Sequence, residues 1–194
     1  MENKQVLKVT LPLPSSVNMI YGRNKYGNTY LKKEGKEYKK KAIKITTEAV
    51  KEQNWIKLKE DEYCYLDTIV YQNKRGRDND NIYKLLQDSF TETGVVWLDD
   101  TLVWPRTQRS YIDSNNPRVE IIIYKSNTVG IFESKEEYKE FRNNNCDKCS
   151  KKSDGSERSC TIHKKILENR IIKEVTKDEL NTWRCNKLKE KKIK

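Results

Sequence analysis

Residues 1–125 predict an α+β domain, a mixed β-sheet with helices on it, and residues 126–194 a small, zinc-stapled helical module. Three observations carry this. Extended segments fall on both sides of two amphipathic helical segments, the pattern of a sheet with helices laid on it. Of 43 Leu, Ile, Val and Phe residues, 30 lie in 1–125 and 13 in the remaining 69 positions, so only the first part buries a core unaided. Four of the five cysteines and the single histidine lie in the second part, where a staple is needed.

Gln5–Leu11 alternates apolar and polar residues and reads as a strand, stopped by Pro12 and Pro14. Residues 15–28, carrying Asn18, Tyr21, Arg23 and Tyr26, read as a loop. Glu34–Gln53 is helical, with Tyr38, Ala42, Ile45, Ala49 and Val50 on one stripe. The lysines around that stripe (Lys36, Lys39, Lys40, Lys41 and Lys44) form a solvated face, with phosphate contact as the second reading. Tyr63–Gln72 is an alternating strand. Asp80–Thr93 is a helix with Ile82, Leu86 and Phe90 in one row and Gly94 as its stop. Val95–Leu98 and Leu102–Ile112 read as extended, and Val119–Tyr124 as a buried strand. A boundary is expected at Ser126–Thr128; Lys135–Phe141 and His163–Val175 follow as helices, with Lys187–Lys194 as a basic tail.

The chain carries 40 Lys+Arg against 29 Asp+Glu, a net charge of +11. Such a balance points to anionic partners, nucleic acid or an anionic membrane surface. No apolar run is long enough to cross a bilayer, and the N-terminus, with Glu2, Lys4 and Lys8, lacks the apolar centre of a signal peptide, so neither a membrane nor a secreted protein is expected. The charge is uneven. Residues 1–50 hold 11 basic and 4 acidic side chains and 126–194 hold 18 and 12, whereas 51–100 hold 7 and 11, a net −4.

That acidic stretch contains Lys74–Asp100, KRGRDNDNIYKLLQDSFTETGVVWLDD. Asp78 and Asp80 are two apart just before the helix, so an extended backbone would direct both carboxylates to one side. Asp80, Lys84 and Asp88 recur every fourth residue, away from the Ile82–Leu86–Phe90 row. Asp99 and Asp100 come after Gly94 and a short run that would fold back beside the helix start. Mg²⁺ takes carboxylates together with water and phosphate oxygens, and held there it activates water and stabilises charge on a phosphodiester. Lys84 would offset developing negative charge, and Lys74, Arg75 and Arg77 would hold flanking phosphates. The plainer reading is a helix N-terminus decorated with capping aspartates.

D-N-D-N-x-x-K followed by W-L-D-D, here Asp78, Asp80, Asn81, Lys84 and Trp97–Asp100, resembles the RusA family of Holliday junction resolvases. The N-terminal L-P-L-P-S-S-V-N of Leu11–Asn18, then Tyr21, Tyr30-Leu31 and Glu34–Tyr38, agrees with that family's opening. The resemblance covers about residues 5–125. It implies Mg²⁺ ligation by Asp78, Asp80 and Asp100, with Asp99 as the alternative third ligand, Lys84 as the catalytic lysine, and Arg77 and Asn81 in support or on DNA. It further implies a homodimer nicking two opposed strands of a four-way junction in recombination and repair, in the cytoplasm of a bacterial or phage-infected cell. Asn79 departs from the apolar residue usual there, and one extra residue separates Gly94 from Trp97. Flaps or forks are the alternative DNA substrates, and a non-catalytic, zinc-containing nucleic-acid-binding protein is the alternative class.

Five cysteines without a secretion signal argue against a disulfide framework. Cys146-x2-Cys149-x10-Cys160-x2-His163 has the donors of a closed structural Cys₃His zinc site, with Cys185 as a possible replacement for His163. Cys64, on a strand, reads as a small core residue. The second module, net +6, would touch DNA or a partner, or serve as a structural extension.

Overall fold

The structure, a computed structural model, describes residues 5–59, 62–76, 78–151 and 160–191. The chain forms two compact units that divide between Ser126 and Asn127. The first runs β1 (Val6–Pro12), α1 (Val17–Ile20), β2 (Tyr21–Arg23), β3 (Thr29–Leu31), α2 (Lys33–Glu52), β4 (Cys64–Gln72), α3 (Tyr83–Thr93), β5 (Val103–Ile112) and β6 (Arg118–Lys125), with 3₁₀ turns at Asp80–Ile82 and Asp100–Leu102.

Its four-stranded sheet has the order β1-β6-β4-β5. β6 runs antiparallel to both β1 and β4, whereas β5 runs parallel to β4, so the sheet is mixed. The strand alternation does the expected work. Leu7, Val9 and Leu11 of β1, Leu66 and Val70 of β4, and Val119, Ile121 and Ile123 of β6 are buried on one face, against Ala42, Ala49 and Val50 of α2 and Leu86 and Phe90 of α3. Ile122 turns the other way and is exposed, so the β-branched run of β6 is buried on one side only. Cys64 is fully buried, and that burial pushes its thiol up to about 12.

The opposite face carries polar and aromatic side chains that satisfy one another. Arg106 donates to both Asp67 oxygens, at 2.7 and 2.9 Å, and lies 3.8 Å above the Tyr65 ring. Arg118 lies 3.5 Å from the Tyr71 ring centre and pairs with Glu120 and Asp113.

Two expectations for this unit are corrected. Residues 15–28 are not a plain loop: α1 and the β2–β3 hairpin occupy Val17–Leu31, and Gly22 lies so close to the Tyr30 ring that a Cβ would come within 2.7 Å. Val95–Leu98 is not a strand. Val96 and Trp97 are buried for another reason, while Leu98 is exposed: the Val96 carbonyl accepts from Trp55 Nε1 and from the Leu58 N–H, both at 3.1 Å, and Trp97 packs edge-on against Phe90. The sequence's stop signal operates as expected, with Gly94 left-handed at φ 66° after α3.

The second unit contains α4 (Lys135–Phe141), a π-helical turn at Arg142–Cys146, α5 (Thr161–Leu167) and a hairpin of β7 (Val175–Lys177) and β8 (Trp183–Cys185). Ser134 caps α4 by accepting from the Glu137 N–H, and the Glu137 carboxylate accepts from the Glu133 N–H. Phe132, Phe141, Ile166 and Val175 form its core. The helix expected over His163–Val175 ends at Leu167 because Asn169 turns left-handed at φ 59°, and Val175 belongs to a strand.

Candidate active site

The chain leaves the buried end of β4 at Gln72, which is 6% exposed. Gln72 donates from Nε2 to the Asn79 Oδ1 at 2.6 Å, pinning the middle of the Asp78–Asn79–Asp80 run to the sheet. The backbone at Asn79 is helical, φ −70° and ψ −23°, not extended, so strand geometry does not set the Asp78 and Asp80 carboxylates side by side. What they share is exposure and freedom. Among the described residues neither has a hydrogen-bond or ion-pair partner, and neither caps a helix: Asn79 and Ile82 hold the N-cap positions without side-chain caps.

Asp99 does cap. Its Oδ1 accepts from the Thr101 N–H at 2.8 Å, and that bond holds its carboxyl below the usual range. Asp100 begins the next 3₁₀ turn. The capping reading therefore holds for Asp99 and not for Asp78 or Asp80.

Lys84, in the first turn of α3, pairs with Asp88 at 3.7 Å. Asp88 also accepts from the Tyr21 hydroxyl at 3.2 Å, and partial burial together with that carboxylate raises the Tyr21 phenol above its ordinary value. Asp88 thus links the N-terminal hairpin to the lysine. Sequence reading counted Asp88 in the polar row but gave it no role; its signal was the i, i+4 spacing from Lys84.

A cavity of about 510 Å³ opens beside the Asp78 loop. Ser15, Ser16, Lys74, Asp78, Asn79 and Asn81 line it. Lys74 and Arg75 are exposed in the turn after β4, and Asn81 is half-buried. Arg77 lies outside the described residues. Ser15 and Ser16 escaped the sequence reading as site residues, although they belong to the quoted L-P-L-P-S-S segment.

Asp100 is not in this group. Gln72 and Asn79 mark one end of the β4–α3–β5 crossover, whereas Asp100 lies three residues before Val103, which pairs with Cys64 at the other end. The run after Gly94 therefore settles beside the C-terminal half of α3, where Trp97 donates to Thr91 at 2.8 Å, and not beside the helix start. The 11 residues of α3 lie between the two sets of carboxylates, about 16 Å of helix.

In the second unit, Cys146, Cys149, Cys160, His163 and Cys185 line one cavity of about 20 Å³. His163 is 4% exposed, and its Nε2 shares a 3.0 Å hydrogen bond with the Tyr138 hydroxyl. Among the described residues, no three His, Cys, Asp or Glu side chains form a group that could hold a metal ion as they stand. No described helix is long and apolar enough to cross a membrane.

No curated protein matches the chain. The family model described as Endodeoxyribonuclease RusA matches residues 12–124, which take in β4, β5 and β6 of the sheet, both long helices and the Asp78 loop. With a match over more than half its length, the chain belongs to the RusA family of endodeoxyribonucleases.

Proposed function

We propose that the chain is a Mg²⁺-dependent resolvase of four-way DNA junctions, acting as a homodimer in recombination and repair, in the cytoplasm of a bacterial or phage-infected cell. The observation that carries this reading is the pair of uncommitted carboxylates, Asp78 and Asp80, the first of which lines a cavity together with Lys74. A Mg²⁺ site needs only one or two protein carboxylates, the rest being water and substrate phosphate, so this donor set fits the ion. Asp78 and Asp80 would hold it, and when bound it supplies an activated water and charge stabilisation.

The remaining roles belong to the chain's own side chains. Lys84, steadied by Asp88, faces the charge that develops at phosphorus. Lys74 and Arg75 hold neighbouring phosphates, together with Arg77, and Asn81 contacts the strand at the cavity wall. Asp100 lies at the far end of α3, so a third carboxylate reaches the site from a second copy of the chain; this supports the dimer. In the second unit, Zn²⁺ serves as a structural staple at the cysteine-lined cavity.

The test is cleavage of a synthetic four-way junction with Mg²⁺. Wild type should give symmetric paired nicks, and Asp80→Asn should abolish cleavage while still binding the junction. Unimpaired cutting by that variant would remove Asp80 from the site. Cleavage confined to flaps or forks would change the substrate assignment.

A further inference from the structure

Five donor side chains surround the 20 Å³ cavity of the second unit, a space with room for one ion, whereas a tetrahedral site takes four. How each donor is held separates them. Cys146 and Cys149 are joined by a tight turn in which the Cys149 N–H donates to the Cys146 carbonyl at 3.1 Å. Cys185 makes the same turn with Leu188, also at 3.1 Å. Main-chain bonds lock the two turns together: Ser150 N–H to the Lys189 carbonyl at 2.7 Å, and Lys191 N–H to the Lys148 carbonyl at 2.9 Å.

Asn145 closes the arrangement from behind. Only 3% exposed, it accepts from the Cys185 N–H at 2.9 Å and donates to the Phe141 and Trp183 carbonyls. Cys160 holds the N-cap position of α5. His163 lines the same cavity, but its Nε2 is engaged by the Tyr138 hydroxyl and its ring is stacked on the Tyr138 ring, which leaves only Nδ1 to face an ion.

We infer that the second unit binds Zn²⁺ through four thiolates, those of Cys146, Cys149, Cys160 and Cys185, with His163 outside the coordination sphere as part of the Tyr138 packing. The inference rests on reading this unit as zinc-binding and is independent of the nuclease reading. It replaces the Cys₃His set that spacing alone suggested. Two features of this unit favour four thiolates. The turn at Cys185 repeats the turn at Cys146 and is fixed to it by backbone. Lys151 and Lys187 also line the cavity, where they offset the net negative charge of such a site. Because the described side chains form no metal-holding group as they stand, the thiols would have to close on the ion.

Zinc content and zinc K-edge X-ray absorption of the full-length wild-type protein, prepared under reducing conditions, test this without relying on a variant. The expected result is one zinc per chain with four sulfur neighbours. His163→Gln should retain the zinc, and Cys185→Ser should lose it. Three sulfurs and one nitrogen overturn the ligand assignment while keeping the zinc reading, as does loss of zinc from His163→Gln but not from Cys185→Ser. A protein that binds no zinc overturns both. Junction cleavage with Mg²⁺, measured on the same preparation, reports separately on the nuclease reading.

Discussion

Asp99 and Asp100 are neighbours with different commitments, and the difference is one hydrogen bond. Asp99 accepts from the Thr101 N–H, which an asparagine side chain also does. Asp99→Asn should therefore leave the single-turnover rate of junction cleavage within about 3-fold of wild type. If Asp100 serves as the proposed metal ligand, Asp100→Asn should lower the rate by at least about 100-fold, the scale of losing one group that stabilises the transition state. The opposite ranking would assign Asp99 to the metal. Lys84 presents a subtler case. Its pair with Asp88 is more than half exposed on the lysine side, so it contributes little to stability. Its use is to hold the ammonium in place, with Tyr21 holding Asp88 in turn. Asp88→Asn should slow cleavage by about 3- to 10-fold while changing unfolding free energy by less than about 1 kcal/mol. A variant that cuts at the wild-type rate would leave Asp88 a surface residue only.

At the scale of elements, the segment between α3 and β5 decides where Asp99 and Asp100 end up. Trp97 is fully buried, packs against Phe90 at 5.4 Å between ring centres, and donates to Thr91. Trp97→Ala should cost about 3–5 kcal/mol, read from chemical denaturation. Loss of less than about 1 kcal/mol would mean that this segment is not anchored by its indole. The same segment shows what periodicity can and cannot reveal. α2, α3, β1 and β4 were legible because each buries one face over many residues, so a period of 3.6 or 2 repeats several times. Val95–Leu98 offers four residues, too few to separate a strand from a buried connection, and its partners, Trp55 and Leu58, are about 40 residues away in sequence. The β2–β3 hairpin has three residues per strand and depends on the contact of Gly22 with Tyr30, which no local pattern announces. Likewise Asp78, Asp80 and Lys84 were legible as residue types at set spacings. The Gln72–Asn79 bond that fixes their loop was not, because it joins a strand end to a turn through side chains alone.

Over the whole molecule, the −4 stretch that first drew notice does not collect its carboxylates at one point. The β4–α3–β5 crossover carries Asp78 and Asp80 at one end and Asp100 at the other, a consequence of β5 running parallel to β4. A two-fold dimer can join the two ends only between copies, and it then makes two equal sites. The proposed dimer therefore predicts complementation. Asp80→Asn and Asp100→Asn homodimers should each be inactive, since every site in either lacks a carboxylate. In the mixed dimer one site collects both substitutions, and the other combines the intact Asp80 of one copy with the intact Asp100 of its partner. Unfolding and refolding an equal mixture should restore about a quarter of wild-type sites, because half of the dimers are mixed and each has one working site of two. The products should be single nicks, not paired ones, on a four-way junction. If all three carboxylates served one site within a chain, each copy in the mixture would remain defective and no cleavage would return.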